Sequence, residues 1–144
     1  MEKKLVKVPI DKLVPYGRNP RRNNKSAKIV AKSMEAYGYI NPIIVTDKLM
    51  ILAGHTRLKA LKILKHEGDL EVLMVSGLTE DQIRGFIIAD NRVGEYSQWN
   101  YAEIDRLMTE NPDPLMEELG LKSHAANKQD MENLFNETYK EDDE

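Results

Sequence analysis

The amino-acid sequence predicts an α+β (α/β) domain, a small mixed sheet flanked by helices. Three observations carry this. Short apolar runs of strand length, such as Ile43-Ile44-Val45 and Glu71-Val72-Leu73-Met74-Val75, alternate with longer segments whose apolar residues recur at helical spacing. Glycine, proline and asparagine punctuate the boundaries between them. One stretch, Ile51 to Leu61, passes from an apolar run through Gly54 into a new amphipathic run, which reads as strand, tight turn and helix.

Taken in order, Leu5, Val6, Val8 and Ile10 form a first short strand. Asp11 is placed to cap a helical turn running to Leu13-Val14 and stopped at Pro15. Tyr16 to Asn24 is a loop, broken by Gly17, Asn19 and Pro20 and decorated by Arg18, Arg21 and Arg22. Ala27, Val30, Ala31, Met34 and Tyr37 then recur on one helical face, and Gly38 stops that helix. Ile43-Ile44-Val45 is a buried-type strand, Thr46-Asp47-Lys48 a turn, and Met50-Ile51-Leu52 the returning strand. A helix from Thr56 to about Lys65 turns Leu58, Leu61 and Leu64 inward, and the strand Glu71–Val75 follows Gly68-Asp69.

Thr79 with Gln82 makes a capping box for a helix carrying Ile83, Phe86 and Ile87, running toward Asp90-Asn91-Arg92. Asn100 with Glu103 makes a second, for a helix bearing Ile104, Leu107 and Met108. Trp99, Tyr96 and Tyr101 read as packing between the last helices rather than as a base-stacking platform. The expected organisation is one domain over residues 1–120, then a polar, acidic tail over 121–144, partly helical or disordered and ending Glu141-Asp142-Asp143-Glu144.

Composition narrows the function. The chain of 144 residues is 41% hydrophobic and 31% charged, as expected of a soluble globular protein with a modest core. No apolar run approaches the roughly 18 residues needed to span a bilayer, and the N-terminus is not patterned as a signal peptide. A cytoplasmic protein with no membrane partner is expected. With no cysteine, disulfides, thiolate metal sites and cysteine nucleophiles are excluded. His55, His66 and His124 lack metal-ligand spacing. The net charge of −3 hides an asymmetry. Lys3, Lys4, Lys7, Lys12, Arg18, Arg21, Arg22, Lys25, Lys28 and Lys32 stand against Glu2 and Asp11, while the rest of the chain is acidic. Such a basic N-terminal part suits a polyanion or nucleotide, and it equally suits a solvated face balanced by the acidic remainder.

The stretch Gly54-His55-Thr56-Arg57 combines three features that favour phosphate. Glycine lets backbone approach a ligand closely. The first N–H groups of a helix have no intrahelical partner and attract an anion. Arg57, in the first turn, can add a bidentate charged grip. The competing reading is a strand-to-helix corner with an exposed arginine. Downstream, Asp90 beside Asn91 offers hard oxygen ligands for Mg²⁺, and Arg92 could offset phosphate charge. The competing reading there is a helix C-terminal cap with a surface ion pair.

These features occur in the order found in the ParB/sulfiredoxin superfamily, which the chain resembles over roughly Leu5 to Leu107. Val8-Pro9-Ile10-Asp11-Lys12-Leu13, Pro15 and Arg18-Asn19-Pro20-Arg21 are similar to the opening of that domain. Tyr37-Gly38-Tyr39-Ile40-Asn41-Pro42-Ile43-Ile44-Val45 is similar to the family's Gly-x-x-x-Pro strand entry. Ala53-Gly54-His55-Thr56-Arg57 stands where partition-type ParB proteins carry the phosphate-binding Gly-Glu-Arg-Arg. Ala89-Asp90-Asn91-Arg92 stands where they carry a Glu-Asn-x-x-Arg motif that helps hold nucleotide and magnesium. The combination of Gly-His-x-Arg, Ile88–Arg92 and Trp99 is most similar to the short ParB-like domains of phages and bacteria. Those domains stand alone or precede a DNA-modification methyltransferase, and many carry the name ParB-like nuclease.

The resemblance implies a ParB-like nucleotide-binding domain serving a DNA-related process such as DNA modification, phage DNA handling or partition-like regulation. Its expected ligand is a nucleotide of the CTP or ATP/ADP class. Gly54, His55, Thr56, Arg57, Asn91, Arg92 and Arg21 are the expected phosphate and nucleotide contacts. Asp90 and Asn91 are the expected Mg²⁺ ligands, with His55 and Asp90 the candidate catalytic groups for slow triphosphate hydrolysis. DNA, a DNA methyltransferase or another DNA-processing protein of phage or bacteria are the expected macromolecular partners. Sulfinic acid reduction is excluded by the missing cysteine, and a complete centromere clamp is not expected in so short a chain. Three alternatives stand beside this reading. A non-catalytic DNA-binding or regulatory module would use Arg18, Arg21, Arg22 and Lys25. A small-molecule kinase of the free-serine type would need a carboxylate base, with Glu35 as candidate. A metal-dependent nuclease would use His55 and Asp90.

Overall fold

The computed structural model describes residues 1–17, 24–93, 95, 98, 100–110 and 115. They divide into two compact units, Met1–Arg92 and Val93–Glu144. The first contains β1 (Glu2–Pro9), a 3-10 turn (Ile10–Lys12), α1 (Asn24–Tyr37), β2 (Ile43–Thr46), β3 (Ile51–Ala53), α2 (His55–Ile63), β4 (Asp69–Ser76) and α3 (Glu80–Val93), whose last residue opens the second unit. The second unit contains α4 (Tyr101–Glu110), with Met108 and Leu115 buried. The expected boundary at residue 120 and the acidic tail lie outside the described residues, as do Tyr96 and Trp99. No helix among the described residues is long and apolar enough to cross a membrane.

The four strands form one mixed sheet in the order β1-β4-β2-β3. β4 pairs antiparallel with β1 from Glu2↔Ser76 to Pro9↔Asp69, and parallel with β2 from Ile43↔Val72 to Thr46↔Val75. β3 closes the far edge antiparallel to β2. Side chains alternate between the two faces of a strand, so the apolar runs feed two cores. Val8, Ile43, Val45, Ile51, Leu70 and Val72 pack on one face with Leu58 and Leu61 of α2 and Met34 of α1. Leu52, Val75, Ile44 and Leu73 lie on the other face, against Ile83 and Ile87 of α3. Ile43, Val45, Ile51 and Val72 are fully enclosed, and burying each such side chain stabilises the fold by about 1.5–3 kcal/mol. α1 and α2 pack together on the first face, helped by the small buried residues Ala27, Ala31 and Ala60.

The mixed sheet and its helices match the fold class expected from the sequence. Local differences have local causes. β1 starts at Glu2 instead of Leu5, because pairing with β4 extends into a lysine-rich stretch that an edge strand tolerates. Asp11 caps nothing. It lies inside the 3-10 turn, whose N-cap is Pro9, and Val14 instead bridges to Met50 in parallel. Val14 N–H donates to the Leu49 carbonyl at 2.8 Å, and the Val14 carbonyl accepts from Ile51 N–H at 2.8 Å. α2 ends at Ile63, Leu64 is half-buried, and Lys65 turns out of the helix at φ +57°. Phe86, expected on the apolar side of α3, is partly exposed, because Ile83 and Ile87 fill the face toward the sheet. The Thr79–Gln82 capping box forms reciprocally, with bonds of 3.2 and 2.9 Å. Asn100 accepts from Glu103 N–H at 3.1 Å.

Candidate functional site

β3 ends at Ala53 and α2 begins at His55, so a single residue, Gly54, turns strand into helix. It does so at φ +112°, a conformation that side-chain-bearing residues rarely adopt. Space reinforces the requirement. A Cβ on Gly54 would stand 2.9 Å from Ile43 Cγ1, 3.1 Å from Arg57 Nη2 and 3.2 Å from Arg57 Nε. The guanidinium of Arg57 therefore lies over the bare α-carbon of Gly54. The helix begins at once, with Leu58 N–H donating to the Gly54 carbonyl at 2.9 Å. The amides of His55, Thr56 and Arg57 are thus the first-turn donors at this helix end.

Arg57 is half-buried. Its Nη2 donates to the Pro42 carbonyl at 3.1 Å, and its Nε is buried with no hydrogen-bond partner among the described residues. Burial pushes the guanidinium below its ordinary pKa, while Tyr39 and the Asp90 carboxylate act in the opposite sense. A cavity of about 350 Å³ opens beside it, walled by Val30, Met34 and Tyr37 of α1 and by Ile40 and Asn41.

His55 has a different environment. Its Nε2 accepts the Tyr16 N–H at 3.0 Å, across 39 residues of sequence. That bond needs the neutral ring with its proton on Nδ1. Burial, then the nearby charge of Lys59, lowers the His55 pKa from its ordinary value. With the Nε2 lone pair engaged, His55 holds Tyr16 against α2.

Asp90, Asn91 and Arg92 occupy the last turn of α3. Asp90 is exposed, yet its charge reaches Arg57, which brings the two sequence motifs into one electrostatic neighbourhood. The Asn91 side-chain amide donates to the Ile87 carbonyl one turn back at 2.7 Å. Arg92 is half-buried on the same turn. Lys25 is exposed in the first turn of α1, and Glu35 is exposed further along it. Arg18, Arg21 and Arg22 lie outside the described residues. Among the described residues no three His, Cys, Asp or Glu side chains converge.

Two participants were not singled out from the sequence. Tyr16 meets His55 through its backbone N–H, which no residue pattern reveals. Tyr39 stands inside the Gly38–Pro42 segment and binds two backbone groups, the Ile43 N–H and the Glu71 carbonyl.

The chain belongs to the ParB N-terminal domain family, whose model matches residues 1–91. It is 34% identical over 80 residues to the ParB-like nuclease domain-containing protein YnaK of Escherichia coli (strain K12), covering 55% of this chain and 91% of that protein. Among solved structures it is similar to the C-terminally truncated chromosome-partitioning protein ParB from Caulobacter crescentus complexed with CTP-γ-S. There the TM-score is 0.59 and the identity 21%, over 81% of this chain and 65% of that one. It is also similar to the pNOB8-like ParB-N domain, at a TM-score of 0.55 and 19% identity, over 89% of this chain and 52% of that one. At these identities the two structures establish the fold, and the chain spans between half and two thirds of their lengths.

Proposed function

We propose that this chain binds a nucleoside triphosphate, with the phosphates at the N-terminus of α2 and against Arg57. The observation that carries the reading is the half-buried guanidinium itself, held over Gly54, with a buried Nε that has no hydrogen-bond partner among the described residues and a cavity at its side. A buried cation is costly unless an anion or acceptors compensate it, and a phosphate at a helix N-terminus supplies that compensation. The apolar walls from Val30 to Ile40 suit a nucleoside, since small-molecule sites are mostly apolar with a few polar groups that fix orientation. CTP is the first candidate, because the Caulobacter relative was solved with CTP-γ-S.

Within this reading Thr56 adds a hydroxyl and a backbone donor, and Arg92 and Arg21 add positive charge. His55 contributes by holding Tyr16 in place. Mg²⁺ would arrive with the nucleotide. The donor set fits a cation shared with phosphates, since Mg²⁺ commonly takes one or two protein carboxylates and completes its shell from phosphate and water. Asp90 would supply the carboxylate. The Asn91 amide nitrogen is turned to Ile87, so its oxygen is the end that would meet a cation. Bound Mg²⁺ supplies charge neutralisation on the phosphates. Any slow hydrolysis would then rest on positioning and electrostatics.

A second observation favours a polyanion as a further partner. Lys3, Lys4 and Lys7 on β1 and Lys25, Lys28 and Lys32 on α1 are all exposed. We place the chain in a DNA-related process, with a DNA-processing protein such as a methyltransferase as the class of protein partner. Calorimetric titration of CTP, ATP, ADP and GTP, each with Mg²⁺, tests the reading. CTP is expected to bind with one-to-one stoichiometry. No binding of any nucleotide, together with steeply salt-dependent binding of duplex DNA, would favour the non-catalytic DNA module.

A further inference from the structure

The hydrogen bonds around Arg57 form a continuous path that ends at a residue outside both motifs. Arg57 Nη2 donates to the Pro42 carbonyl at 3.1 Å. The other side of that same peptide unit is the Ile43 N–H, which donates to the Tyr39 hydroxyl oxygen at 2.7 Å. The Tyr39 O–H in turn donates to the Glu71 carbonyl of β4 at 2.8 Å. The peptide is trans, so its C=O and N–H point in opposite directions, and it is gripped from both sides. Every donor in the path points the same way, from the guanidinium toward β4. Bonds in series with a common direction polarise one another. Arg57 is thereby held at Nη2, which together with Nε lies over Gly54 beside the cavity.

We infer that the Tyr39 hydroxyl is a positioning group for Arg57, acting through the Pro42–Ile43 peptide. This rests on Arg57 being the phosphate grip. The phenol joins two structures that the site needs in register. Ile43 opens β2 and is fully buried, and its Cγ1 is the atom nearest the missing Gly54 side chain. Removing the hydroxyl leaves the Ile43 N–H without its acceptor and lets the peptide rotate. The Pro42 carbonyl then moves, and with it the stop that orients the guanidinium. A tyrosine that only pinned β2 to β4 would affect stability and leave Arg57 where it is.

Tyr39→Phe, which keeps the ring and removes the hydroxyl, separates the two roles. In ¹H–¹⁵N NMR of the full chain, the Arg57 Nε–H signal is expected to shift or broaden along with the Ile43 amide. The affinity for CTP with Mg²⁺ is expected to fall about tenfold. The Arg57→Lys background gives the second arm. There Tyr39→Phe is expected to cause no further loss of affinity, while its effect on thermal stability persists, as a coupled pair requires. An unmoved Arg57 Nε–H signal in Tyr39→Phe overturns the inference, and so do affinity losses that simply add in the double variant. Should wild-type chain bind neither CTP nor inorganic triphosphate, the phosphate reading fails, and the NMR arm alone still decides whether Tyr39 orients Arg57.

Discussion

The two motifs are held in different ways. At the start of α2 three residues are held by contacts that reach outside the helix. Arg57 is bonded to Pro42, His55 to Tyr16, and Gly54 is pressed between Ile43 and the guanidinium. At the end of α3, Asp90 is exposed and Asn91 is bonded to its own helix. That helix rests on the sheet through Ile83 and Ile87, with Ile88 and Val93 exposed beyond them. One half of the candidate site is assembled in advance, and the other ends a helix whose packing on the sheet includes Ile83 and Ile87. Preorganised groups cost little to engage when a ligand arrives. The α2 end should therefore set affinity, and the α3 end should set the metal-dependent part of it.

Arg57→Ala is expected to have the largest effect. It removes the charged grip and is expected to weaken CTP binding by about a hundredfold or more. Stability should change little, since the half-buried guanidinium keeps its Nε without a hydrogen-bond partner among the described residues. Calorimetry and urea denaturation read the two effects separately, and an equal loss in both would erase the distinction between the regions. Next comes Ile87→Ala. Ile87 is 2% exposed, and truncating such a side chain costs about 3 kcal/mol. Loosening α3 in this way should reduce the Mg²⁺ dependence of CTP affinity while leaving the metal-independent part in place.

Gly54→Ala follows. The positive φ and the 2.9 Å approach to Ile43 Cγ1 should cost about 2 kcal/mol of stability, read by urea denaturation, and should displace Arg57. Wild-type stability with wild-type affinity would show that the turn has room that the structure denies it.

The smallest effect is a pH dependence. Burial and Lys59 lower the folded-state pKa of His55, so the unfolded chain takes up the proton first as pH falls. Stability linked to His55 is fully present above the unfolded value near 6.5. It declines as pH drops through the lower folded value, since the unfolded state then binds more protons. Protonation also removes the acceptor for Tyr16 N–H. His55→Gln should flatten the stability–pH curve just below pH 6.5, measured against wild type so that the carboxylates cancel.

Much of the first region was legible because its determinants are local. Gly54 announces a turn, the apolar run before it a strand, and the Leu58–Leu61 pattern a helix. The ordered recurrence of Gly54–Arg57 and Asp90–Arg92 pointed to the ParB family, to which the chain belongs. What sequence could not carry was the long-range backbone chemistry. Nothing about Tyr16 or Pro42 as residue types says that their N–H and C=O would meet His55 and Arg57. The bond from Tyr16 N–H to His55 Nε2 is likewise visible only when the chain is folded. Phe86 was placed inward by helical spacing, but Ile83 and Ile87 are the α3 side chains that pack against the sheet, and Phe86 is left partly exposed.

The central claim is that a nucleotide's phosphates meet Arg57 and the first amides of α2. It is tested most directly by titrating CTP with Mg²⁺ into ¹⁵N-labelled chain. The Arg57 Nε–H and the backbone amides of His55, Thr56 and Arg57 would be followed together. All four signals are expected to move and saturate along a single binding curve. Saturable binding that leaves them in place would contradict the claim.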